Sequence, residues 1–598
     1  MSRPLEPRAG LPPGTGVPFA LLGVVWGVVG LLGLVWLGGG SASWLSGHGW
    51  EAPPFGFAFP EGLLEGGPEA MWPRTPPVLV WTLSAALAAV VLGPTLVLWL
   101  RWRAARPSAA DPLPALARPL DVALLAPKGA AARARELRPS LRDVPRKRVS
   151  PEDVGVALGT LAPRGPVLRA SWEDVALAVM APRAGKTTAL AVPAVLDAPG
   201  AVVATSNKAD LWAATTELRG QQTADRVWVF DPQGIAATER TWWWDPLRDV
   251  DSVEEASRLA GHFVQEVRAD KGDRDFWTSA AHDLLTGLLL AAALSGRTLE
   301  EVYEWLNDPV LPTPATLLRE HGHRAAAASL AGRQNGAPET REGVYETART
   351  AAQCLRDARI MAWVTPPGAS LRLEEFKAAP FATSRQTLYL LSKDGAGAAA
   401  PLVAALTDRV MRAATRAAER RGGRLDPPLL VVLDEAANVC RIADLPDLYS
   451  HLGSRGIVPF TILQSYRQGV RVWGEPGMDT LWSASTIKVI GAGIDDPKLA
   501  EDISRLVGDH DVAVRSFSYG DRRRSATTSL RRQRILPPEQ VRALARGRAL
   551  VLATGAKPAL VDLAPYFRSA RREAIAQARM RAEDHLTRES RRDKELME

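Results

Sequence analysis

MAPRAGKTT at residues 180–188 follows the apolar run VALAVM (175–180), and LLVVLDEAAN (429–438) follows much later in the chain. An apolar strand that ends in a glycine-containing turn and opens into a helix presents backbone amides to an anion. A Gly-Lys-Thr triplet at that turn adds a cation and a hydroxyl, completing a phosphate cradle. The cradle residues are Pro182, Arg183, Ala184, Gly185, Lys186, Thr187 and Thr188. Gly185 lets the backbone approach phosphate oxygens, Lys186 neutralises them, and Thr187 offers a hydroxyl to Mg²⁺. Met180 stands where the G-x-x-x-x-G-K-[ST] pattern has its first glycine. LLVVL reads as a buried strand. Asp434 at its end is placed to hold Mg²⁺ through water, and Glu435 to polarise an attacking water. The implied cofactors are ATP and Mg²⁺, and the implied chemistry is ATP hydrolysis.

Two further residues extend the site. PFTIL (459–463) runs into Gln464, a polar side chain leaving a strand where a γ-phosphate could be sensed. Arg455 precedes that strand and could reach a neighbouring subunit's nucleotide as an arginine finger. The fold class follows from the spacing of apolar runs. AVVAT (201–205), RVWVF (226–230), TLYLL (387–391) and STIKVI (485–490) join the three strands above. Unbroken apolar strands separated by helical stretches predict an α/β core with a parallel sheet covered on both faces. Residues 171–249 and 371–567 form this core. Residues 250–370 carry apolar positions three and four apart and predict an inserted all-helical domain. Residues 107–170 read as a linker with a first strand or two, and 568–598 as a charged, solvated helix. The basic stretch at 515–534, with Arg515, Arg522, Arg523, Arg524, Arg531, Arg532 and Arg534, reads as a surface loop or hairpin.

Residues 1–106 read as a membrane anchor. VPFALLGVVWGVVGLLGLVWL (17–37) and PVLVWTLSAALAAVVLGPTLVLWL (77–100) carry no charge, and each is long enough to cross about 30 Å of hydrocarbon as a helix. Arg3 and Arg8 precede the first run, and Arg101, Arg103 and Arg106 follow the second. The loop between them holds Glu51, Glu61, Glu65 and Glu69 against the single Arg74. The positive-inside rule then puts both ends in the cytoplasm of an inner-membrane, multi-pass protein. With 46% hydrophobic and 23% charged residues, the 598-residue chain is ordinary globular material. Its net charge of +7 permits a nucleic-acid partner without demanding one. Two cysteines, Cys354 and Cys440, make neither a metal cluster nor a disulfide framework.

These motifs, together with TSNKADLW (205–212), WWDPL (243–247), FWTSAAHDLL (276–285), ILQSYRQG (462–469) and ALVLATGAKPALVDLAPYF (549–567), resemble the type IV coupling proteins of bacterial conjugation and secretion, the VirD4/TraG/TraD family. The resemblance spans the anchor and nearly all of 170–567. It implies a RecA-like core, a homo-hexamer around a channel, and single-stranded DNA with an attached relaxase as substrate. It also implies relaxosome proteins meeting the helical domain and secretion-channel components meeting the membrane part. A second reading is an ATP-switched membrane receptor that recruits protein substrates and pumps little DNA. A chromosome-pumping septal translocase fits less well, because a single helical domain is inserted after the phosphate loop.

Overall fold

The computed structural model describes residues 16–104, 115–271, 276–368, 371–395, 397–520 and 523–597. Arg3, Arg8, Arg106 and Arg522 lie outside the described residues. The chain divides into two compact units, Met1–Asp111 and Pro112–Glu598.

In the first unit, helices Gly16–Leu45 and Pro77–Ala104 pack side by side. Small residues allow the approach, since a Cβ on Gly38 would lie 2.7 Å from the Ser84 Cα. The connection carries a short helix, Ala58–Met71, and an aromatic cluster. Trp36 and Phe59 meet their neighbours Trp50, Phe55 and Trp72 with ring centroids 5.6–6.1 Å apart. The Trp36 indole donates to the Pro53 carbonyl at 2.6 Å and the Trp72 indole to that of Glu51 at 2.8 Å. Trp36 therefore serves this cluster, whereas Trp44 and Trp81 remain exposed.

The second unit is built on strands β1 (Val156–Leu161), β2 (Val167–Ala170), β3 (Ala176–Val179), β4 (Val202–Ser206), β5 (Val227–Phe230), β6 (Trp242–Trp243), β7 (Glu374–Glu375), β8 (Thr387–Leu391), β9 (Leu429–Asp434), β10 (Ile457–Leu463), β11 (Ile487–Gly491), β12 (Asp509–Gly520), β13 (Arg523–Arg534), β14 (Arg548–Ala553) and β15 (Ala559–Asp562). Eleven of them form one sheet in the order β2-β1-β15-β14-β11-β3-β10-β9-β4-β8-β5. The run from β11 to β5 is parallel, and the β14 side is antiparallel. Side chains alternate between two cores, as a pleat requires. Leu429, Val431 and Leu433 enter one core and Leu430 and Val432 the other, so β9 is apolar on every residue before Asp434.

The insertion leaves the core at β6 and returns at β7, and these two strands pair with each other in parallel. Between them lie helices Val253–Lys271, Phe276–Leu294, Leu299–Asn307, Thr313–Glu320, Arg324–Gln334, Pro338–Ala351 and Ala358–Val364. Trp243, Trp244 and Leu247 of WWDPL are buried here, and Trp242 just before the motif is buried beside them. Trp242 stacks edge-on with Trp228 and Trp363 at centroid distances of 5.4 Å, sealing the insertion to the sheet. Among the described residues, three helices are long and apolar enough to cross a membrane, but Phe276–Leu294 has 67% of its apolar window buried and forms the insertion's own core.

Two surface elements refine the sequence reading. The basic stretch is a hairpin in which, among the described residues, β12 pairs with β13 and with no other strand. The C-terminal helix Arg572–Met597 is docked rather than freely solvated. Its Ile575 and Ala578 are buried, and Arg581 donates to both carboxylate oxygens of Glu217 at 2.7 and 2.8 Å. Charge-rich composition hid this apolar seam.

Candidate nucleotide site

The site stands at the C-terminal tips of β3, β10 and β9, where the strand order puts β10 between the loop strand and the carboxylate strand. Ligands of open α/β sheets sit at this edge. The loop is suspended from both neighbours of β3. The Met180 amide donates to the Leu463 carbonyl and that of Ala181 to the Ala492 carbonyl, both at 3.1 Å. Arg183 (φ 62°) and Gly185 (φ 94°) are left-handed, and Lys186 after Gly185 is right-handed, a reversal of the kind that builds an anion-binding concavity. Glycine at 185 answers this φ, since an added Cβ would meet only the Thr188 hydroxyl, at 3.7 Å.

Met180 is accommodated by a residue that pattern matching missed. Its side chain is fully buried and lies over Gly491 at the end of β11, where an added Cβ would sit 2.5 Å from the Met180 Cγ and Cε. Gly491→Ala is therefore expected to destabilise the protein by about 1–3 kcal/mol through overpacking. Adding Met180→Ala should relieve the clash while forfeiting the methionine's burial, so the losses of the two single variants should be clearly less than additive in the double variant. The check is the thermal midpoint of the three variants, and an unchanged midpoint for Gly491→Ala would refute the packing.

The two motifs meet across the strand tips. The Lys186 ammonium lies 2.7 Å from a Glu435 carboxylate oxygen, with both side chains 9% exposed. The Thr187 hydroxyl donates to Asp434 Oδ2 at 2.8 Å. Gln464 donates its amide to Glu435 Oε2, and Asn438, which the sequence reading did not single out, donates to the same oxygen at 3.2 Å. Thr205 at the end of β4 donates to the Asp434 carbonyl at 3.1 Å. Glu435 itself occupies a left-handed turn (φ 58°), a strained conformation for a non-glycine residue that packing must hold.

Asp434 Oδ1 is buried and, among the described residues, has no hydrogen-bond partner. Burial pushes its carboxyl up to about 6, an effect that the Thr187 hydroxyl and the Lys186 charge oppose and that Glu435 reinforces. A buried, unshared carboxylate oxygen beside a threonine hydroxyl is a hard-oxygen donor set suited to Mg²⁺. Arg455 is not brought to this cluster. It sits before β10, at the sheet edge opposite Gln464, with its guanidinium donating to the His451 carbonyl at 3.2 Å and 3.8 Å from Glu419. Pro182 and Thr188 flank the turn, and the Thr188 hydroxyl donates to the Gly185 carbonyl at 3.2 Å.

The site is also tied to the insertion. Arg441, just beyond the short helix Ala436–Val439, donates to the Ala437 carbonyl at 2.8 Å and reaches Glu266 at 3.1 Å. Asp444 receives Arg258 at 3.2 Å, and Gln265 donates to the Val472 carbonyl, on the helix after Gln464, at 2.7 Å. One helix, Val253–Lys271, thus touches the segments that follow both Glu435 and Gln464.

Residues 146–592 match the family model described as "Type IV secretory system Conjugative DNA transfer". The chain belongs to this family of coupling proteins. It is 24% identical over 422 residues to protein VirD4 of Agrobacterium fabrum, covering 68% of this chain and 61% of that protein. It is 24% identical over 399 residues to the conjugal transfer protein TraG of Rhizobium radiobacter, covering 64% and 60%. The chain thus spans about three fifths of the length of these curated relatives. Among solved structures, the conjugative coupling protein TrwBdeltaN70 in its unbound monoclinic form superposes with a TM-score of 0.50 at 20% identity, over 73% of this chain and 91% of that one. Plasmid coupling protein TrwB in complex with the non-hydrolysable GTP analogue GDPNP gives 0.50 at 19% identity, over 72% and 92%. The fold of this coupling protein is therefore the TrwB-like one, a RecA-like core carrying a helical domain.

Proposed function

We propose that this coupling protein binds ATP with Mg²⁺ at the tips of β3, β9 and β10 and hydrolyses it. Hydrolysis would recruit and move single-stranded DNA, with its attached relaxase, to a type IV secretion channel. The observation that carries this proposal is the convergence of Lys186 on Glu435 and of Thr187 on Asp434 in a chain of this family. That TrwB was solved with a GTP analogue supports nucleotide as the ligand.

Lys186 is the residue with two suitors. Its ammonium pairs with Glu435, and phosphate oxygens entering the loop would compete for it. Transfer of the ammonium to phosphate would free the Glu435 carboxylate to accept a proton from water, while Gln464 and Asn438 keep it oriented. Asp434 and Thr187 would hold Mg²⁺, which when bound neutralises charge on the phosphate oxygens. Helix Val253–Lys271 would pass the state of both segments to the insertion, where relaxosome proteins would dock. Six copies would form the ring, with Arg455 acting on the neighbouring subunit's nucleotide. Helices Gly16–Leu45 and Pro77–Ala104 would anchor the chain in the inner membrane, leaving the N-terminus and the large unit in the cytoplasm.

The test is hydrolysis by the purified full chain with and without a single-stranded oligonucleotide. Several-fold stimulation is expected, and Glu435→Gln should abolish it while retaining nucleotide binding. A rate indifferent to DNA would overturn the translocation step.

A further inference from the structure

We propose that the surface formed by residues 118–148 binds anionic phospholipid headgroups, docking the large unit onto the membrane that anchors it. This patch presupposes the anchor proposed above. Lys128, Arg142, Arg146, Lys147 and Arg148 are all exposed, and among the described residues none has an ion-pair partner. The neighbouring carboxylates are largely taken. Asp121 pairs with Lys557 at 2.9 Å, Glu136 pairs with Arg133 at 2.8 Å, and Glu173 pairs with Arg133 as well. Among the described residues of this stretch, Glu136 and Asp143 are the exposed carboxylates, against five exposed cations without an ion-pair partner. The surface is therefore strongly positive, unlike the evenly mixed C-terminal helix.

Apolar residues share it. Leu120 is 91% and Leu124 73% exposed, and both line a cavity of about 780 Å³ together with Arg146. Leucines standing in water beside unpaired cations suit the boundary between headgroups and acyl chains. A nucleic acid would use the cations but gain little from the leucines. Chain connectivity favours lipid too. The apolar helix ends at Ala104, and the chain is fastened to the large unit at Ala117, whose amide donates to the Pro558 carbonyl at 2.9 Å. These two positions are 13 residues apart in the chain. The cavity is also lined by Asp174, Ile487 and Ala553, at the sheet edge opposite the phosphate loop, so lipid there leaves the nucleotide site open.

Each basic residue held near an anionic leaflet strengthens attachment roughly five-fold. The experiment uses the full chain carrying Leu120→Cys, labelled with an environment-sensitive dye. Cys354 and Cys440 are buried and burial raises both thiol pKa values, so neither competes for the label. The protein is reconstituted into nanodiscs of phosphatidylcholine, with or without phosphatidylglycerol, containing a quencher-bearing lipid. Quenching several-fold stronger in the anionic discs is expected. Arg146→Gln/Lys147→Gln/Arg148→Gln should return it to the neutral-disc value, as should the separate pair Lys128→Gln/Arg142→Gln. These side chains are exposed, so thermal midpoints should not move. Equal quenching in both discs, or variants that quench like the parent, would overturn the proposal. Quenching that ignores lipid composition but is relieved by a single-stranded oligonucleotide would assign the patch to nucleic acid instead. Failure of the chain to enter discs at all would remove the anchor and this patch together, whereas entry without selective quenching removes the patch alone.

Discussion

Replacing Lys186 by alanine is expected to cut nucleotide hydrolysis roughly a thousand-fold, the scale of losing one preorganised charge at a reacting centre. It should also lower stability. Lys186 is the cation paired with Glu435, and both are buried, so the single variant strands a carboxylate with only the Gln464 and Asn438 amides to serve it. Breaking a buried pair from one side costs about 3–5 kcal/mol, far more than an exposed pair is worth. The two effects separate in a second variant. Lys186→Ala with Glu435→Gln should regain most of the lost thermal midpoint while hydrolysis stays absent. If Lys186→Ala keeps its midpoint, the ion pair does not exist as described. If it keeps its hydrolysis rate, the loop is not the phosphate cradle.

Much of this site was legible in the chain because its parts are local. Strand, turn and helix around Gly185–Thr187 lie within a dozen residues, and the carboxylate pair ends an apolar run that has no alternative as a buried strand. What stayed hidden was non-local. Gly491 lies far along the chain from Met180, and only the pairing of β11 with β3 makes a bare backbone there the answer to a bulky loop residue. The docking of Arg572–Met597 was masked in the same way, since Ile575 and Ala578 are two apolar residues in a heavily charged helix. Arg455 shows the converse. Nine residues from Gln464 looks close in sequence, but the intervening residues include β10, and an extended strand of that length carries its two ends about 20 Å apart.

Asp434, proposed to hold Mg²⁺, illustrates how such a role opposes stability. Its carboxyl is raised from 3.8 to about 6, with burial as the main cause. For an acid raised on folding, the sign is opposite to that of a paired surface carboxylate. Ionising it is harder in the folded chain than in the unfolded one, so stability is lost as pH rises from below 3.8 to above 6. The penalty at pH 7.5 is of the order of 3 kcal/mol. Asp434→Asn keeps an oxygen to accept from Thr187 and removes the charge. It is therefore expected to raise the thermal midpoint of the nucleotide-free protein by a few degrees at pH 7.5. The gain should shrink toward zero well below pH 3.8, where the parent carboxyl is protonated in both states. The same variant should lose Mg²⁺-dependent hydrolysis by about a hundred-fold or more, and Mg²⁺ with nucleotide should raise the midpoint of the parent but not of Asp434→Asn. A variant less stable than its parent at pH 7.5, or a difference that ignores pH, would show that Asp434 carries no buried charge waiting for a cation.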